Sequence, residues 1–207
     1  AGSLKISADT RVAPTQAQDL RGVTFAKSGK IYVSGHVGVA ASDRQIVVGR
    51  FNADGTLDTT FGTGGFVTTN VVVKDPANTT STGDEQSSGV LELANGDLIV
   101  SINAADGNGG APITAGTGTL PRPEGVSIVL LRLTNTGAPV ASFGTNGKAV
   151  VDFGWTADDN AAWPAPVPND SNTALVGTGY PRDTHWNIAL DPSVSGADER
   201  VVVFGFG

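Results

Sequence analysis

The residues best suited to chemistry crowd into one stretch near the C-terminal end. All three tryptophans, Trp155, Trp163 and Trp186, lie there, together with Tyr180. Aromatic faces next to Asp and Asn can stack on sugar rings. The same residues anchor protein interfaces, and they can simply pack a loop onto its scaffold. All three readings stay open. Asp158, Asp159 and Asp170, with Asn172 close by, form an oxygen-rich set of the kind that Ca²⁺ prefers. The set lacks the spacing of an EF-hand loop, and Asx-turn chemistry explains it equally well. The two histidines, His36 and His185, are too few for a three-histidine zinc site. Asp183-Thr184-His185 offers half of an acid–base pair, but no Gly-x-Ser-x-Gly elbow accompanies it. There is no cysteine, which excludes disulfides and a thiol nucleophile. No residue is therefore assigned a catalytic role, and Ca²⁺ is the only cofactor the chain suggests.

The elements that must position these residues are repeated. Gly29-Lys30-Ile31-Tyr32-Val33-Ser34 returns as Gly96-Asp97-Leu98-Ile99-Val100-Ser101, an offset of 67 residues. Arg200-Val201-Val202-Val203 opens a third copy. Downstream, Ile46–Gly55 matches Ile128–Gly137, and Phe61–Val67 matches Phe143–Ala149, at an offset of 82. Unit two thus carries 15 extra residues between its second and third strands. Each unit reads as four strands, with turns at Lys27-Ser28-Gly29 and Ala94-Asn95-Gly96 that suit hairpins. Consecutive apolar runs such as Ile128-Val129-Leu130-Leu131 and Val201-Val202-Val203-Phe204 predict strands buried on both faces. Sheets stacked radially between other sheets supply that setting. The expected fold is all-β, with antiparallel four-stranded blade-like repeats in a whole or partial propeller.

Unit one is placed at about 20–73, unit two at about 87–152 and an incomplete unit three at about 185–207. A further strand is expected at 3–8, with insertions at 103–125 and 152–185. Arg50 and Arg132 occupy matching positions and are expected to pair with a carboxylate or carbonyl of the next unit. Phe61 and Phe143 are read as packing residues between units.

The chain has a net charge of −7, which disfavours nucleic acid and anionic lipid as partners. No 18-residue apolar run is present. The chain has no Met and begins Ala1-Gly2-Ser3, so removal of a leader is expected.

The stretch Gly29-Lys30-Ile31, followed by Arg50-Phe51-Asn52-Ala53-Asp54-Gly55-Thr56-Leu57-Asp58-Thr59-Thr60-Phe61-Gly62-Thr63-Gly64-Gly65, resembles the bacterial delta-60 repeat. Residues 29 to 69 carry the resemblance closely and 96 to 151 more loosely. It implies propeller-like arrays in large secreted or cell-surface proteins, and no enzyme activity by itself. The expected function is a non-enzymatic extracellular structural or interaction protein. It would assemble with itself or with another surface or secreted component, which would complete the third unit. The alternative is the scaffold or carbohydrate-binding part of a secreted polysaccharide-active enzyme.

Overall fold

A computed structural model describes residues 18–40, 43–71, 85–105, 113–115, 118–120, 126–151, 184–196 and 199–206. The described residues are strands and turns, without an α-helix. None of them forms a helix long and apolar enough to cross a membrane.

Unit one is an antiparallel meander of β1 (Gln18–Phe25), β2 (Ile31–Ala40), β3 (Asp43–Phe51) and β4 (Phe66–Thr69). Unit two repeats it with β5 (Gln86–Glu92), β6 (Leu98–Ala105), β9 (Val126–Leu133) and β10 (Lys148–Val151). Its extra residues, between β6 and β9, contain a small hairpin of β7 (Ile113–Ala115) and β8 (Gly118–Leu120). Unit three shows β11 (Thr184–Leu190) paired with β12 (Val201–Phe206).

The turns follow from residue type. Gly29 and Gly96 hold φ of 82° and 83°, where a side chain is strained. Their N–H groups donate to the carbonyls of Ala26 and Leu93, which closes the two first hairpins. The second tight turn uses Gly64 at φ 59° in unit one and Asn146 at φ 53° in unit two. Asn is among the few residues that tolerate this region.

The first strand of each unit carries a bulge at the same step. Register slips between Leu20 and Gly22, between Ser87 and Gly89, and between His185 and Asn187. The extra residues are Arg21, Ser88 and Trp186. The bulge fixes the equivalence of the three units. Val23, Val90 and Ile188 correspond, as do Gly22, Gly89 and Asn187.

The sheets stack face to face. β5 lies against β1, β2 and β3, and β11 lies in turn against β5, β6 and β9. The main core fills the gap between units one and two, with Tyr32, Ile46, Val48 and Phe61 meeting Val90, Leu98, Val100, Val129, Leu131 and Leu133. A second cluster of Val33, Val37, Val47, Phe51 and Phe66 occupies the opposite face of unit one. This is a blade-like β-propeller architecture, as the apolar runs predict.

One expectation needs correction. In β9, Ile128, Val129 and Leu131 are buried, but Val202 and Phe204 in β12 are exposed. Unit three has only one covered face, because among the described residues no sheet lies on its other side. The strand expected at 3–8 lies outside the described residues.

Candidate functional site

The densest polar and apolar geometry among the described residues lies in the faces through which the units stack. The middle of that face is glycine for a steric reason. A Cβ on Gly22 would stand 2.9 Å from the Ser88 carbonyl oxygen and 3.2 Å from the Cα of Gly89. A Cβ on Gly89 would stand 2.8 Å from Ile188 Cγ1. Gly22 therefore lets the first strand of unit two approach at backbone distance, and Gly89 makes room for the Ile188 side chain of unit three.

Around this contact, polar groups cross from unit to unit. Thr24 Oγ1 donates to the Val90 carbonyl at 2.5 Å. Arg21 Nη1 donates to Gln86 Oε1 at 2.6 Å. Glu92 accepts from Ser28 Oγ at 2.7 Å and from Tyr32 Oη at 3.1 Å. A second carboxylate clips the next hairpin, where Ala94 N donates to Glu199 Oε2 at 2.6 Å. Burial raises the Tyr32 phenol above its ordinary value, so it stays a donor across the neutral range.

The outer part of the interface is built on Arg50. Its guanidinium lies 4.8 Å above the Phe61 ring. Nη2 donates to Thr60 Oγ1 at 2.9 Å, and Nη1 donates to the Asn135 carbonyl of unit two. Nε stands 2.9 Å from Asp58 Oδ2, but off the N–H direction, so this contact is an ion pair rather than a hydrogen bond. Asp58 also accepts from Lys30 Nζ at 2.8 Å and from Thr60 Oγ1 at 2.6 Å. The Lys30 bond, followed by the Thr60 bond, holds the Asp58 carboxyl well below the usual carboxylate range. The backbone adds one more link, from Gly62 N to the Thr136 carbonyl at 2.9 Å. Gly137 then sits on the Phe61 ring, which is fully buried. Arg50 thus meets a carboxylate of its own unit and a carbonyl of the next.

Unit two builds the same corner differently. Arg132 donates to Asp97 Oδ2 from Nε at 2.9 Å and from Nη2 at 2.7 Å. Its guanidinium is 6.0 Å from the Phe143 ring, and Phe143 is only half-buried.

Burial at equivalent positions shows where stacking stops. Val90 and Ile188 are 1% and 5% exposed, but Val23 is 63% exposed. On the other face, Tyr32 and Ile99 are 1% and 2% exposed, and Val202 is 49% exposed. Between units these positions are covered; at unit one the β1 strip is bare, and at unit three the outward side of β12 is bare.

Trp155, Trp163 and Tyr180, and Asp158, Asp159 and Asp170, lie outside the described residues. Trp186 is the bulged residue of β11, one step earlier than the glycine position. His36 is buried on β2, and His185 lies in β11. Among the described residues no group of three or more His, Asp or Glu is placed to hold a metal ion. Asp54 and Asp58 instead accept from Thr56 and Thr60 two residues on, as in Asx turns. Sequence reasoning picks out the turn oxygens of Asp54 and Asp58 but misses Lys30, Asp97 and the pairing of Asp58 with Arg50. Their signal was the internal alignment, which sets Lys30 against Asp97 and Asp58 against Val140.

Residues 27–61 match a family described as a domain of unknown function (DUF5122) beta-propeller. The match covers the first hairpin turn, β2, β3 and the Asp58–Phe61 turn, the parts that build the Arg50 corner. It supports a β-propeller-like repeat family for this chain. No curated protein and no solved structure matches it.

Proposed function

We propose that this chain is a non-enzymatic structural or interaction module of the delta-60 type, working outside a bacterial cell and assembling through the faces of its stacked units. One observation carries the reading. Val23 and Val202 are bare at the ends of the array, whereas their equivalents are buried within it. On β1 the exposure extends to Leu20 and Phe25, and on β12 to Phe204, and such contiguous apolar patches mark interaction surfaces. The acidic, cysteine-free, Gly- and Thr-rich composition suits the extracellular setting.

Light scattering on the purified chain tests the assembly. A species heavier than the 20.9 kDa chain is expected, and Phe25→Asp or Phe204→Asp should shift it towards that mass. A wild-type protein that stays at 20.9 kDa at high concentration would count against self-assembly.

A further inference from the structure

Two bare surfaces lie at opposite ends of the stacked units, one on β1 and one on β11 and β12. On unit one the exposed strip is confined to β1, where Leu20, Val23 and Phe25 stand in water, Phe25 at 79%. On β2 to β4 the same face is already buried through Val33, Val47, Phe51 and Phe66. On unit three the exposed face spans two strands, through Asn187, Ala189, Val202 and Phe204.

Inside the array, a face of the unit-three kind covers a strip of the unit-one kind twice over. β5 seats on β1 and β2, and β11 seats on β5 and β6. The bare strip of β1 needs two strands to cover it, and β11 with β12 supplies two. The bulge recurs at the same step on both partners, so their local twist agrees.

We propose that a second copy of this chain docks head to tail, with β11 and β12 of one copy covering β1 of the next. The inference rests on the assembly reading above and adds its partner and register. The contact is heterologous: the two surfaces differ, so it propagates until it closes into a ring or runs on as a filament. The register follows from the internal interface. Thr24 meets the Val90 backbone between units one and two. The equivalent residues are Ala189 in unit three and Val23 in unit one of the next copy.

The chain has no native cysteine, so engineered thiols report without background. Val23→Cys and Ala189→Cys both fall on exposed positions. The two variants are purified separately, mixed under mild oxidant and run on a non-reducing gel. A disulfide-linked heterodimer in several-fold excess over either homodimer is expected. Phe204→Asp in the Ala189→Cys background should abolish it. The paired variant Thr24→Cys/Val90→Cys calibrates the geometry by closing within one chain. If that control closes and no heterodimer forms, the proposal is overturned. Equal Val23→Cys homodimer would also overturn it, because the strips would then pack back to back. Heavy species that persist in light scattering without the heterodimer would reject this register but leave the assembly reading standing. Monomers alone would reject both.

Discussion

Units one and two solve the same problem with opposite charge placement. In unit one a carboxylate at Asp58 serves both Arg50 and Lys30. In unit two the position of Asp58 is Val140 and the position of Lys30 is Asp97. The acid has moved to the other side of the arginine, where Asp97 takes Arg132 directly. The arginine is the invariant of the pair. A guanidinium stacked on a phenylalanine under the next unit must be neutralised, and either neighbouring strand can do it. The environments differ too. The Arg50 side chain is 10% exposed and that of Arg132 is 28% exposed. Unit two supplies the Asn135 carbonyl and Gly137 over the Arg50 corner, and among the described residues nothing equivalent lies over Arg132.

The largest way to break this comparison is Asp58→Val. It leaves Arg50 and Lys30 without their shared carboxylate in a buried corner. Losing one partner of a buried pair costs about 3 kcal/mol, read as a drop in the urea midpoint. Asp97→Val removes a pair that is more open to water, so its loss should be smaller, about 1 kcal/mol. The pH dependence carries the same signature. The folded-state pKa of Asp58 is depressed, so its contribution is complete above the ordinary carboxylate pKa and fades as pH falls below it. Asp58→Asn should flatten that acid limb of the stability curve. An unchanged acid limb would show that Asp58 does not carry it.

A second test leaves the charges alone. Gly22→Ala puts a methyl 2.5 Å from Ser34 Oγ of its own sheet, and against the Ser88 carbonyl and Gly89 of the next, backbone that cannot swing aside. Forcing the sheets apart should cost about 2 kcal/mol, read by thermal melting. A neutral result would mean that the sheets slide rather than clash.

The finest test rebuilds unit two inside unit one. Adding Lys30→Asp to Asp58→Val restores an acid beside Arg50 in the manner of Asp97. It should recover about 1 kcal/mol of the loss. No recovery would mean that the two corners are not interchangeable.

Much of the fold was legible in the sequence because turns and apolar runs are local. The hairpin turns at Lys27–Gly29 and Ala94–Gly96 depend on glycine at positive φ, and the sequence displays that glycine. The starts of the first strands were not legible. Gly22, Gly89 and Trp186 look like strand beginnings, yet the strands begin at Gln18, Gln86 and Thr184. A bulge breaks the period-two alternation from which strands are read, so the residues before it look like loop. The Arg50 corner was half visible. Its repeated arginine stands out, but the trade of Lys30 with Asp58 for Asp97 with Val140 is meaningful only once β2 and the turn after β3 are seen to converge. The bare strips were invisible in sequence, since Val23 and Val90 are the same residue type and differ only in what covers them.

The bulge in the first strand has a wider consequence. A residue squeezed out of a ladder is excused from its pairing rules, and here that place is held by Arg21, Ser88 and Trp186. A long cation, a small hydroxyl and a large indole follow one another at a single address, while the glycine or asparagine after it stays small. The array thus separates what must stay constant for stacking from what is free to change. Each unit has one position at which it can acquire an individual character without disturbing the ladder of its own sheet, as Arg21 does when it reaches across to Gln86.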